Sequence, residues 1–535
     1  MKAVRTDYED EWRDIARFSQ PSRSRFLATD RDKGGKRRLW NNKLFDPHGI
    51  EAFRTLTNGM TSGLTSASRP WFTLKLGDDE LNEQPGVRGW LSEVERAMYA
   101  FLAKTNFYAA AKEGYGEMGL FGTEACVMVE NMTHGAVCHS LTAGEYWIAL
   151  SDGMVPDTLL RQCPLSARQV VQMFGDKAPK YVRTAYDKGN GEMTVTLHHL
   201  IEPNADYKPD TIGSKPWRSV YWDQSEDRGD VLSERGYEEQ PFWAPRWAVA
   251  GGDTYGTSPG MDALPALREL QMQAKRRNEA IDFLVKPEKI VKAGIRLTGE
   301  PGRNVPGTGM DSNPVIVPYQ MPYQAVAAIA EQMTECKAQI DGLSFADLFN
   351  AITNMRGVQP RNVEEIASRN EEKLTQLGPV IERVSKEKLN IAIDRTFGIM
   401  SRGQMLPPPP EALAGMQIDV EFVSILTQMQ RAVGVGQIER AVSFVGNLAG
   451  VKPDVLDKVN FDEATEEYLT RLGAPAKMIV PQGEVDAIRQ GRAQQEQMAK
   501  AAEMMPAMQQ GADAARLLSE TDVGGVPALD TLMGA

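Results

Sequence analysis

Apolar residues recur at helical spacing through much of the chain. Tyr8, Trp12, Ile15 and Phe18 follow a three-to-four rhythm that predicts a helix over 5–20. A second helix is predicted over 47–66. Ser68-Arg69-Pro70-Trp71-Phe72 then leads into a short strand, and 87–118 carries two more helical patterns. From Ala125 to about Val220 the signal turns to strand. Ala125–Val129, Tyr146–Leu150 and Met193–Leu197 are runs bounded by Gly, Asp and Asn, with the helix Ala167–Phe174 among them. An antiparallel, partly barrelled sheet is expected.

The second half has a different order. A helix of about 25 residues, 259–284, spans roughly 35 Å at about 1.5 Å per residue. Strands are predicted at Ile290–Leu297 and Val315–Val317, separated by a Gly/Pro-rich loop from Gly299 to Gly309. A second helix, Gln324–Gly342, puts Val326, Ile329, Met333, Cys336 and Ile340 on one stripe. A flexible segment, Leu343 to Pro360, precedes a longer helix over about 362–402. Its apolar positions are Val363, Ile366, Leu374, Leu377, Ile381 and Val384. Gly378-Pro379 is expected to kink it, because proline removes a helical hydrogen bond and clashes one turn back. Helix, small β-lobe, helix, loop and kinked long helix read as an antiparallel helix pair with a lobe at one end, not as an enzyme pattern.

Composition narrows the class. At 535 residues there is room for roughly two to four domains. The chain is 42% hydrophobic and 25% charged, as a folded soluble protein is. No apolar run reaches the roughly 18–20 residues of a membrane span, and the first ten residues lack the apolar core of a secretory signal. Cys126, Cys138, Cys163 and Cys336 form no CxxC, so a reducing compartment is expected, with neither a disulfide framework nor a zinc site. All nine tryptophans lie at or before Trp247, whereas Met, Ala and Gln dominate Met498 to Gln510. The net charge of −12 argues against a tight grip on DNA, which needs Lys and Arg to neutralise phosphates. It is compatible with a duplex that must slide.

The candidate chemistry centres on Gly256-Thr257-Ser258-Pro259-Gly260, which has the G-x-S-x-G form of a serine hydrolase. That reading fails on the backbone. The residue after the serine must donate its N–H to the oxyanion, and Pro259 has none. The histidines are His48, His134, His139, His198 and His199, and none follows Ser258 as the triad of that fold requires. The block is better read as a turn feeding a helix, with Asp262 as N-cap and Pro265 in the first turn. His134, Cys138 and His139 lie close in sequence, but a fourth metal ligand is not evident, and a turn with strand ends explains them. Gly34-Gly35-Lys36-Arg37 in the basic loop Arg31–Arg38 is no Walker A motif, since Ser or Thr does not follow the lysine. Pro407–Pro410 reads as a stiff connector or a polyproline ligand. No catalytic residue, metal or cofactor is assigned.

Four blocks carry a family resemblance. They are Thr61-Ser62-Gly63-Leu64-Thr65-Ser66 with Pro70-Trp71-Phe72; Phe121-Gly122-Thr123-Glu124-Ala125; Tyr255-Gly256 with Ser258-Pro259-Gly260; and Leu377-Gly378-Pro379-Val380-Ile381-Glu382-Arg383 through Asp394-Arg395. In order and spacing the chain resembles the head-to-tail connector (portal) proteins of short-tailed, podovirus-type bacteriophages, over roughly residues 5 to 495. It departs from them near Met355–Pro360, where a Thr-Ala-rich approach to the long helix is expected.

The resemblance implies an α+β, helix-rich portal fold. Residues 1–257 would form most of a wing of helices and sheet. Residues 258–284 and 324–342 would be the stem helices, 285–323 a small α/β clip, and 343–361 the channel loop. The long wing helix and a return strand at Ile418–Leu426 would occupy 362–430, a helical crown 431–510 and a tail 511–535. It further implies a homo-oligomeric ring, usually twelvefold, at one capsid vertex of the virion, assembled in the host cytoplasm and without membrane contact. Double-stranded DNA would be driven inward through it by the terminase large subunit and would leave through it on infection. Capsid, scaffolding and tail adaptor proteins would be the other partners. Arg356 on the channel loop and Lys275, Arg276 and Arg277 on the stem are the candidates for meeting DNA. Lys286, Lys289, Lys292, Arg296 and Arg303 are those for a docking partner. The clip strands would pair with a neighbouring subunit or close as a hairpin. The rivals are an esterase built on Ser258 and a head-completion adaptor, the latter disfavoured by length.

Overall fold

In the computed structural model, helix α1 (Lys2–Phe18) opens the chain on the expected rhythm and buries Trp12, Ile15 and Ala16. The structure describes residues 1–21, 23, 44–77, 82, 84–131, 133–209, 211, 213–223, 231–286, 290–291, 315–316, 322–353, 371–410, 418–424, 426, 435–450, 452–471, 480, 485–492, 494–495 and 516. They belong to two units, Met1–Val433 and Gly434–Ala535.

The first unit is built around α2 (His48–Leu64), α3 (Pro85–Lys104) and α4 (Phe107–Phe121). α2 presents Ala52, Phe53, Leu56, Met60 and Leu64 to the core at helical spacing. α4 is buried along most of its length, and Ala110, Ala111 and Gly114 leave room for close neighbours. Strand β1 (Phe72–Leu76) pairs antiparallel with β12 (Ile418–Phe422), with Leu74 opposite Val420, so the chain does return to its N-terminal region there.

The strands between form two open antiparallel sheets. One has the order β3-β2-β9, from β2 (Ala125–Asn131), β3 (Gly135–Leu141) and β9 (Phe242–Trp243). The other is the meander β4 (Tyr146–Leu150), β5 (Pro156–Ser166), β6 (Thr194–Pro203), β7 (Trp217–Asp223) and β8 (Val231–Tyr237). Among the described residues β4 and β8 do not pair, so the sheet does not close into a barrel. The physical reason is the insertion between β5 and β6. Helices α5 (Ala167–Phe174) and α6 (Lys180–Asp187) cover the sheet with a small core of Ala167, Val170, Val182, Val195, Leu197 and Leu232. An apolar face met by helices gains nothing further by curling on itself. α5 starts where predicted because Ser166 and Gln169 form a reciprocal capping box.

The meander also buries a polar group. Arg161 Nε donates to His199 Nδ1 at 2.9 Å, which leaves Nε2–H of the same ring to donate to Ser219 Oγ, also at 2.9 Å. The ring stacks on Tyr221 with centroids 3.8 Å apart. Burial first, and then the adjacent guanidinium, hold the His199 pKa well below the ordinary histidine value.

Past the sheets, α7 (Pro259–Asp262) and α8 (Leu264–Val285) run out to β10 (Ile290–Val291). The chain returns through β11 (Val315–Ile316) and α9 (Tyr323–Leu343). β10 and β11 pair antiparallel within the chain, with Ile290 opposite Ile316. α8 and α9 lie side by side: Gln271 and Lys337 both reach Asp46, and Gln273 bonds Gln332. The stripe on α9 is observed, with Met333, Cys336 and Ile340 buried and Ile329 packed beside them.

One expectation for the next stretch is corrected. The segment from Leu343 is not simply flexible: α10 (Ala346–Thr353) is a helix that buries Ala346, Leu348 and Phe349, and the Phe349 ring occupies the space a side chain would need at Gly59. Pro379 lies within α11 (Glu371–Val384). The helix then passes through a π-helical turn, Ser385–Leu389, into α12 (Asn390–Arg402). Residues 354–370, including the predicted start of this helix, lie outside the described residues.

The second unit contains α13 (Val435–Ala449), a 3-10 turn Pro453–Lys458 and α14 (Phe461–Arg471). Arg489 clamps Asp462 with two bonds of 2.6 and 2.7 Å.

A histidine held neutral by the fold binds fewer protons than the unfolded chain does. Stability is therefore lost as pH falls below about 6.5, the ordinary histidine value. The unfolding midpoint of the first unit should drop between pH 7 and pH 5, and His199→Asn should lower it at pH 7 while flattening this dependence.

Candidate functional site

The four sequence blocks meet at one place in the first unit. α4 ends at Gly122, in the left-handed region at φ +79°. A side chain there would strike the Gly256 carbonyl, and one at Gly256 would strike the Gly122 carbonyl. Both positions therefore need glycine for space, and Gly122 for its backbone as well. Their close approach joins the second block to the third and, strand-fashion, to residues 245–247 just before it. Trp247 N donates to the Gly122 carbonyl at 2.9 Å, Glu124 N to Pro245 at 3.1 Å and Gly256 N to Thr123 Oγ1 at 3.0 Å.

The fourth block closes this junction with two buried ion pairs. Lys388 Nζ lies 2.7 Å from Glu124 Oε2, and both side chains are 0% exposed. Trp243 Nε1 donates to the other Glu124 oxygen at 3.0 Å, and the ammonium sits 3.8 Å from the centre of the Tyr115 ring. Desolvation pushes the Glu124 carboxyl above its ordinary pKa, while Lys388 and the indole N–H pull it back. Arg246 meets Glu387 at 2.7 Å and also donates to the Asp253 and Met154 carbonyls. Glu387 and Lys388 are consecutive in the π-helical turn Ser385–Leu389, and both are buried. The first block joins through Thr65, whose hydroxyl donates to the Tyr115 hydroxyl at 3.2 Å.

Ser258 belongs to this junction as a structural residue. Its hydroxyl is buried, donates to the Leu120 carbonyl at 2.7 Å and accepts from Met261 N at 3.1 Å. It is the N-cap of α7, which corrects the assignment to Asp262: that residue is the last of α7, one helical turn further on. A serine whose oxygen is engaged on both sides is not poised for attack, so the esterase reading is set aside. His134, Cys138 and His139 flank the β2–β3 turn, where His134 N bonds Asn131 Oδ1, and no cluster able to hold a metal occurs among the described residues.

The basic candidates are not brought together. Lys275 is exposed and pairs with Glu279 at 3.7 Å. Arg276 is exposed with Met272, Glu279 and Phe283, which share its side of α8. Arg277 is only partly exposed, because it continues the buried stripe of Leu270 and Ala274. Lys286 is exposed at the end of α8. Lys289, Lys292, Arg296, Arg303 and Arg356 lie outside the described residues. The partners Lys388, Arg246 and Glu387 are absent from the sequence reading. Their one signal is charge within an apolar setting: Arg246 stands in a Trp/Pro run, and Glu387 and Lys388 precede a leucine on a helix.

The family described as bacteriophage head to tail connecting protein matches residues 1–480. A "Probable portal protein" of Bordetella phage BPP-1 is 36% identical over 539 residues, covering 99% of this chain and 95% of that one. A "Portal protein" of Salmonella phage epsilon15 is 35% identical over 542 residues, covering 100% of this chain and 96% of that one. Among solved structures, a chain from the virion of a native gene transfer agent particle is 13% identical. It covers 78% of this chain and 92% of its own length, with a TM-score of 0.33.

Removing one member of a buried pair strands the other charge, at about 3–5 kcal/mol. Glu124→Gln should therefore destabilise the first unit by about that amount in denaturant titration, and Glu124→Gln with Lys388→Met should recover at least half. Ser258→Ala should cost about 1–2 kcal/mol through the lost cap, and a serine-hydrolase probe should leave the wild-type protein unlabelled.

Proposed function

The chain belongs to the bacteriophage head to tail connecting proteins and serves as a phage portal, and on that premise we propose that twelve copies form a ring through which double-stranded DNA is packaged and ejected. The family match over residues 1–480, together with relatives alike along their whole length, carries this reading. The portal is a virion component with the capsid on one side and the tail on the other. Its finer partners would be the terminase large subunit, which supplies the energy, together with scaffolding and tail adaptor proteins.

In this reading α8 and α9 form the stem, β10 and β11 belong to the clip, and the junction of the four blocks anchors the stem in the wing. The second unit, with α13 and α14, supplies the crown. The helix geometry separates the three stem candidates. Arg277 supports packing, Lys275 is already paired, and Arg276 is the member suited to a passing phosphate. One such contact per subunit, on a chain of net charge −12, suits DNA that must slide. Arg356 is the proposed contact of the channel loop, and Lys286, Lys289, Lys292, Arg296 and Arg303 those of the clip.

Native mass measurement of the purified full chain should show a ring of about twelve copies, and a stable monomer at micromolar concentration would overturn the assignment of this architecture. In complemented phage particles, Arg276→Ala or Arg356→Ala should lower the amount of DNA retained. Arg277→Lys, which keeps the stem-packing stem and charge, should not.

A further inference from the structure

A cavity of about 540 Å³ opens in the first unit between the β1–β12 pair, α3, α12 and the proline run after α12. Leu74, Leu76, Ile393, Phe397, Leu406 and Val420 make it apolar. Pro407, Pro408 and Pro409 form one side, so the proline run is not displayed as a free polyproline ligand. Trp90 holds that side in place by donating its indole N–H to the Pro407 carbonyl at 3.0 Å. A chamber of this size accepts an extended side chain together with an apolar neighbour.

Its wall carries one ionisable group, Asp394. The neighbouring charges do not neutralise it. Arg395 binds Glu130 at 3.1 Å and Glu239 at 2.7 Å, and Arg402 binds the same two carboxylates. Two cations are thus matched by two anions, and among the described residues no cation pairs with Asp394. Among the described residues Asp394 is therefore a solvent-exposed carboxylate without a paired cation where it lines the apolar chamber. Partial desolvation beside the apolar wall, and then the charge of Glu239, raise the Asp394 carboxyl above the ordinary aspartate pKa.

We propose that this cavity is a docking site for a protein partner that inserts a lysine or arginine side chain beside an apolar one, the cation meeting Asp394 and the apolar side chain filling the space between Leu74, Phe397 and Leu406. The apolar walls supply the burial, and the unpaired carboxylate selects the sign of the guest. An anionic guest would face the Asp394 charge directly.

The test uses the full chain and three labelled peptides of acetyl-Leu-X-Leu-amide, with X lysine, norleucine or glutamate, followed by fluorescence anisotropy at low salt. The lysine peptide should bind at least tenfold more tightly than the norleucine peptide, and the glutamate peptide more weakly still. Asp394→Asn should remove the preference for lysine while leaving the norleucine peptide unchanged. Leu406→Trp, which fills the chamber, should weaken both. Equal affinity for all three peptides, a lysine preference that survives Asp394→Asn, or no binding of any of them would overturn the proposal. Unchanged thermal unfolding of Asp394→Asn identifies the loss as one of recognition.

Discussion

The buried pair of Lys388 and Glu124 is the interaction on which the first unit turns. Two charges with no exposure are costly to desolvate, and they persist only where geometry satisfies both. Here the carboxylate has the ammonium and the Trp243 indole, and the ammonium has the carboxylate and the Tyr115 ring. That arrangement requires three separate stretches of chain to be in register. α4 must end at Gly122, the segment after β9 must lie against it, and the long helix must present Lys388 there. Because any slip strands a charge, the pair specifies the register more than it adds net stability.

The π turn at Ser385–Leu389 lies at the same junction and carries both long-helix members of it. Its Glu387 meets Arg246 while Lys388 meets Glu124. Helices α7 and α8 leave from the same junction. α7 begins at Ser258, whose hydroxyl is tied to Leu120 at the end of α4, so the direction of α8 is set by the core and not by a free loop.

The cavity beside α12 shows a different use of charge. Arg395 and Arg402 are consumed by Glu130 and Glu239 in tying α12 to the sheets, and Asp394, adjacent in sequence to Arg395, is left over at the chamber wall. Adjacent residues on one helix thus serve opposite ends, one internal cohesion and the other a surface available to a guest.

Periodicity alone located most helices and several strands, since an amphipathic pattern reflects which face is buried whatever it is buried against. α5 and β4 match their expected limits, and the stripe of Met333, Cys336 and Ile340 is the face α9 buries. The four blocks were legible as a family likeness, and Pro259 was sufficient to reject a nucleophile elbow. What pattern could not supply is long-range pairing. Glu124 and Lys388 are 264 residues apart, and nothing local joins them. Whether the meander closes depended on α5 and α6 covering its face. The cap of α7 depended on the Leu120 carbonyl being within reach of Ser258. The stem candidates Lys275, Arg276 and Arg277 are equivalent in a string of letters and separate only when the helix turns them to different neighbours. Sequence determined where the apolar faces and breaks lie. Tertiary structure decided which buried charges meet, because the cost of a buried charge depends on a partner that folding alone brings near.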